Sequence, residues 1–150
     1  MRILCDTNLL IRLLNPSDAN NALARAAMSQ LLRNGDELVL MPQNLYEFWS
    51  VATRPADKNG HGLTPTATAA ELVKLRAQFT ILDDTPAILP EWERLVVAHA
   101  VLGKNAHDAR LVAAMHVYGV THLLTFNDGD FRRFTGITVL TPASVAPPGP

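Results

Sequence analysis

MRILCDTNLL, residues 1–10, is an apolar strand-like run that halts on an acid: Ile3, Leu4 and Cys5 give way to Asp6, Thr7 and Asn8 before Leu9 and Leu10 resume. Two explanations compete for Asp6. Asp, Thr and Asn all cap helices well, and a helical segment over 9–14 would use such a cap. In an open α/β sheet, however, ligands gather just beyond the carboxyl ends of the strands, and Asp6 holds that position if 2–5 is a strand. The rest of the chain determines whether such a sheet exists.

Outward from this stretch, apolar and β-branched runs predict further strands over 37–41, 79–82, 122–125 and 137–140. Between them lie 3.6-periodic, often alanine-rich segments that predict helices over 18–33, 42–53, 65–78, 87–102 and 105–118. Strands alternating with helices imply a central, mostly parallel sheet of four to five strands covered on both faces, a three-layer α/β/α fold. The one long loop, RPADKNGHGLTP over 54–65, is rich in Gly and Pro and reads either as a functional loop or as a solvent-exposed connector. The closing TPASVAPPGP reads as a frayed tail, so the expected organisation is one domain over 1–141 and a flexible tail over 142–150.

The totals agree with a single compact domain: 150 residues with 48% hydrophobic content suffice for a real core. Thirteen basic and fourteen acidic side chains leave a formal charge of -1, which neither advertises a nucleic-acid partner nor excludes a local basic rim. The single cysteine, Cys5, precludes an internal disulfide and reads as a small buried hydrophobe suited to a reducing compartment. No run approaches the roughly 20 apolar residues of a membrane span, and the first residues lack the order of a secretory leader, so a soluble, cytoplasmic protein is expected. Zinc-ligand spacing, nucleophile elbows and glycine-rich phosphate loops are all missing from the sequence.

Each remaining acid has a local explanation. Asn105 followed by Asp108 resembles a capping box, and an acid in a first helical turn suits the helix dipole. Asn127, Asp128 and Asp130 in TFNDGDF have turn chemistry. On the 42–53 helix, Leu45, Phe48, Trp49 and Ala52 should face the core, leaving Glu47 on the opposite stripe beside Asn44 and Arg54. Independent caps, though, have no reason to converge. If strand one is central and the strand ending at Thr125 lies beside it, several of these acids meet at one edge. Carboxylates gathered without a basic partner repel unless a cation joins them, and Mg²⁺, with Mn²⁺ as the alternative, is the hard ion that accepts carboxylate oxygen and water.

Four stretches, ILCDTNLLI, PQNLYEFWSVATRP, AHDARLVAAM and LLTFNDGDFRRF, in this order and spacing, resemble the PIN-domain nucleases and among them the VapC-type toxins of bacterial toxin-antitoxin pairs. The resemblance spans the chain almost end to end. It implies Asp6, Glu47 and Asp108 as core acids, with Thr7, Asn8 and Thr125 as polar supports. For the last acidic position it ranks Asp130 first, Asn127 second and Asp128 third. A neutral Asn127 facing the metals would weaken a second ion.

The resemblance further implies a metal-dependent endoribonuclease in which one or two Mg²⁺ ions activate water, leaving a 5′-phosphate and a 3′-hydroxyl. A paired site would hold its ions about 3.5 to 4 Å apart. Arg132, Arg133 and Arg54 are candidates for flanking RNA phosphates or ordinary surface charges. A homodimer and a small antitoxin that occupies the acidic groove complete the expectation. Rival readings fit less of the sequence. A phosphatase of the haloacid-dehalogenase type wants a second Asp where Asn8 stands, and a receiver domain wants an acidic pair after strand one, which Asp83 and Asp84 after strand three do not supply. A PIN-fold protein that binds RNA or a partner without cutting is the stronger rival.

Overall fold

The computed structural model describes residues 1–147. Five strands, β1 (Arg2–Cys5), β2 (Glu37–Leu40), β3 (Thr80–Ile81), β4 (His122–Leu124) and β5 (Thr138–Leu140), form one sheet in the order β3-β2-β1-β4-β5. Every neighbouring pair is parallel. The expected sheet of four to five strands is thus five-stranded and wholly parallel. β1 is central, with Ile3 aligned to Leu38 on one side and to His122 on the other.

Alternation along β1 sorts the core into two layers. Ile3 and Cys5 face a cluster with Leu9 and Leu10 of α1 (Thr7–Arg12), Ala24, Met28 and Leu31 of α2 (Ala19–Arg33), Phe48 and Ala52 of α3 (Pro42–Thr53), and Leu75 of α4 (Pro65–Gln78). Leu4 faces the other way, onto Ile88 and Leu95 of α5 (Ile88–Ala98) and the run Leu111 to Met115 of α6 (Asn105–Tyr118). A strand covered on both faces must be apolar at every position, which is why these strands read as continuous runs. The chain winds outward from β1 to β3, then returns through α5 and α6 to place β4 on the opposite side of β1. The edge between β1 and β4 is therefore the topological switch point of the sheet.

Three local departures from the expected elements have identifiable causes. α1 begins at Thr7, not at residue 9, because Asp6 caps it directly by accepting from the Thr7 backbone N–H at 2.7 Å. α5 stops at Ala98 instead of running to residue 102: Ala100 adopts a left-handed φ of 49°, and the Val101 N–H closes onto the Val96 carbonyl at 3.0 Å. That is the helix-ending pattern glycine usually supplies, so alanine gave no stop signal. The expected tail is corrected over its first residues. Pro142–Val145 form a short helix, α7, closed by a reciprocal Thr141–Ser144 cap and packed against α2, with Pro142 buried. Residues 148–150 of that expected tail lie outside the described residues.

Candidate active site

Asp6 leaves the end of β1 at the switch point, and its carboxylate is held on both oxygens. Oδ1 accepts from the Thr7 N–H at 2.7 Å; Oδ2 accepts from Thr125 Oγ1 at 2.8 Å and from Asn8 Nδ2 at 3.2 Å. Thr125 is one residue beyond β4, still tied to β5 through its N–H to the Leu140 carbonyl at 2.9 Å, and fully buried. Asn8 bridges the same strand ends by donating to Thr125 Oγ1 and accepting from the Phe126 N–H. Thr7 in turn accepts from Asn44 Nδ2 at 3.1 Å, while Asn44 Oδ1 caps α3 at the Met41 N–H. Asn44 is buried completely, which corrects its expected place on the solvent stripe beside Glu47. Of the residues expected to face the core from α3, Phe48 and Ala52 are buried, whereas Leu45 and Trp49 are half-buried.

These strand ends open into a cleft of about 580 Å³ lined by Asp6, Thr7, Asn8, Glu47, Asp108 and Asn127. Glu47 reaches it from the middle of α3 and Asp108 from the first turn of α6. Asp130, in the turn after β4, is not among the lining residues, but its charge is felt inside. Burial pushes the Asp6 carboxyl up to about 6, with the Thr125 and Thr7 hydrogen bonds opposing and the charges of Glu47 and Asp130 adding to the rise. Asp108 is pushed up to about 7 by burial and by Asp6, Asp130 and Glu47, with Lys104 partly offsetting them. Asp6 and Asp108 are therefore both raised by burial and by the charges of Glu47 and Asp130.

The neighbouring acid behaves differently. Asp128 pairs with Arg132 on the surface, and that guanidinium holds its carboxyl below the ordinary range. Arg132 is thereby engaged outside the cleft, and Arg133 lies over the Phe134 ring, 5.9 Å from its centroid. Arg54 does line the cleft, together with Arg12, Asn59, His61 and Lys104, four residues the sequence did not single out. Asn59 and His61 arrive on the long loop, which is clasped against the end of α3: Gly62 donates to the Arg54 carbonyl at 2.8 Å, His61 to Val51 and Leu63 to Ala52. Gly60 allows this closure, since a Cβ there would lie 2.1 Å from the Arg54 carbonyl oxygen. Cys5, directly behind Asp6, is wholly buried, and burial drives its thiol far above the usual range, as suits a packing residue.

The donor set suits a hard divalent ion. Its groups are carboxylate, hydroxyl and amide oxygens, with no sulfur exposed and His61 the only imidazole in the lining. Among the described residues no three His, Cys, Asp or Glu side chains are already assembled as a metal cage. Mg²⁺ does not need one, because it commonly binds through one or two carboxylates and retains water or substrate oxygen.

Residues 3–137 match the family model of the PIN domain. The chain belongs to the PIN-domain family. Solved structures share the fold at low identity. VapBC2 from Rickettsia felis, bound to a DNA fragment from its promoter, has a TM-score of 0.72 at 14% identity, covering 94% of this PIN domain and 98% of that chain. VapBC-1 from nontypeable Haemophilus influenzae has a TM-score of 0.72 at 18% identity, covering 95% and 99%. Mycobacterium tuberculosis VapC20, described as a sarcin-ricin loop cleaving toxin, has a TM-score of 0.66 at 23% identity, covering 97% and 99%. No curated protein matches the sequence significantly. No helix among the described residues is long and apolar enough to cross a membrane.

Proposed function

We propose that this PIN domain is a divalent-metal-dependent endoribonuclease acting in the cytoplasm as the toxin of a toxin-antitoxin pair, with a small antitoxin protein as its partner and a homodimer as its working form. The observation that carries the catalytic part is the convergence of Asp6, Glu47 and Asp108 on one cleft, where burial first, and neighbouring acid charge second, raises Asp6 and Asp108. Such a cleft is poised to exchange protons for a cation. The toxin and antitoxin assignments draw support from the VapBC fold likeness, and the dimer from the family resemblance of the four sequence stretches.

Asp6 and Asp108 would be the principal ligands of Mg²⁺ or Mn²⁺, with Glu47 acting directly or through water and Asp130 completing the acidic rim. When bound, such an ion acidifies water and neutralises charge on a phosphodiester, leaving a 5′-phosphate. Thr125, Asn8 and the Thr7 N–H keep the Asp6 carboxylate in one orientation, so little reorganisation is needed as substrate arrives. Arg54, Arg12 and Lys104 stand at the cleft to receive phosphates on either side of the acids. Asn127 also lines the cleft and can accept as a neutral ligand, whereas Asp128 is committed to Arg132.

The test is 5′-end-labelled total RNA incubated with antitoxin-free protein in Mg²⁺, Mn²⁺ or EDTA, beside an Asp6→Asn variant. Discrete fragments that require metal and vanish in the variant are expected. Intact RNA in every lane, from folded protein that binds the metal, would overturn general nuclease activity and favour a binder that does not cut.

A further inference from the structure

Gln43 lies one turn before Glu47 on α3, is buried, and has both amide protons and its amide oxygen engaged by the structure around it. Nε2 donates to Glu47 Oε1 at 2.9 Å and to the His107 carbonyl at 2.8 Å, while Oε1 accepts from Arg110 Nη1 at 3.0 Å. These partners fix which way the amide points. Turned over, its oxygen would oppose a carboxylate and a carbonyl, and its NH₂ would oppose a guanidinium. Arg110 is steadied in turn by Asp84, 2.8 Å from Nη2.

Two acids depend on this amide. It takes one oxygen of Glu47, leaving Oε2 free. It also ties α3 to the residue before Asp108, and so sets how far the first turn of α6 stands from Glu47. Among the described residues Glu47 has no other side-chain hydrogen bond and Asp108 has none. The charge of Glu47 also raises Asp108, so like-charge repulsion alone would swing the two apart. A doubly donating amide opposes that drift.

We propose that Gln43 is a positioning residue that fixes Glu47 and Asp108 at a set separation across the cleft for cation binding. The assignment rests on the metal-dependent reading above. Gln43→Met retains length and buried volume but removes both donors, so the pocket stays filled while the strap is cut.

The experiment measures Mn²⁺ affinity of the full chain by electron paramagnetic resonance, with thermal melting alongside, for wild type, Q43M, E47Q and the double variant. Q43M is expected to weaken Mn²⁺ about tenfold in the wild-type background and threefold or less in the E47Q background, because part of its effect passes through Glu47. Equal losses in both backgrounds, or no loss in either, overturn the assignment while leaving the metal reading intact. If Q43M melts too early to assay, Arg110→Met frees only the amide oxygen and should cost about threefold; unchanged affinity there counts against the proposal. A wild-type protein that binds no Mn²⁺ overturns the metal reading and this assignment together.

Discussion

Asp6 shows how two readings of one residue can both be true. Its Oδ1 caps α1, as the local sequence suggested, and its Oδ2 is held by Thr125 and Asn8 at the cleft. The cap was legible because it is local. The Thr125 bond was not, because it joins residues 119 apart and leaves no periodicity to read. The same limit hid Gln43, Arg12, His61 and Lys104, whose roles come from distant partners. An ionised carboxylate in this buried position is costly, so Asp6→Asn should stabilise the metal-free protein at pH 8 by about 1 to 2 kcal/mol, read from denaturant melts. It should also reduce RNA cleavage at least about a hundredfold, a trade of activity for stability. Asp130→Asn and Asp128→Asn separate the two neighbouring acids. The first should slow cleavage about tenfold or more, whereas the second, losing only a surface pair, should stay within about twofold under the same assay.

Elements were legible wherever an apolar period and a stop signal coincided, as at α2, where Asp18 caps the start with a 2.8 Å bond to the Asn20 N–H. They were missed where the stop is made by a residue that does not advertise it. Ala100 holds a left-handed backbone at the end of α5, so Ala100→Gly should raise stability by about 0.5 to 1 kcal/mol, measurable as a higher denaturation midpoint with an unchanged slope. α7 was overlooked because the closing stretch TPASVAPPGP read as a frayed tail, although a proline such as Pro142 is favoured in a first helical turn. The long loop gives the opposite kind of test. Gly60→Ala forces a methyl group against the Arg54 carbonyl, so it should destabilise the fold by about 1 to 3 kcal/mol. By displacing His61 and Arg54 it should also raise the KM for RNA more than it lowers kcat.

At the scale of the whole molecule, strand and helix alternation made the parallel sheet and the central β1 readable, because long helical crossovers permit little else. The electrostatic character of the cleft emerges only from the assembled fold. Asp6 and Asp108 have folded values of about 6 and about 7, above the roughly 4 of an unfolded aspartate. The folded state thus binds protons more tightly between these limits. Stability of the metal-free protein should fall as pH rises from about 4 to about 7, and Mg²⁺ or Mn²⁺ should flatten that decline; melting curves across this range with and without EDTA check both. The central position of β1 also couples the cleft to closure of the sheet. Asp6 at the end of β1 gains its hydroxyl partner only when β4, more than a hundred residues later, docks beside it. The acidic cleft and the closed sheet therefore form together, and a fragment ending before Thr125 lacks the hydroxyl that orients Asp6.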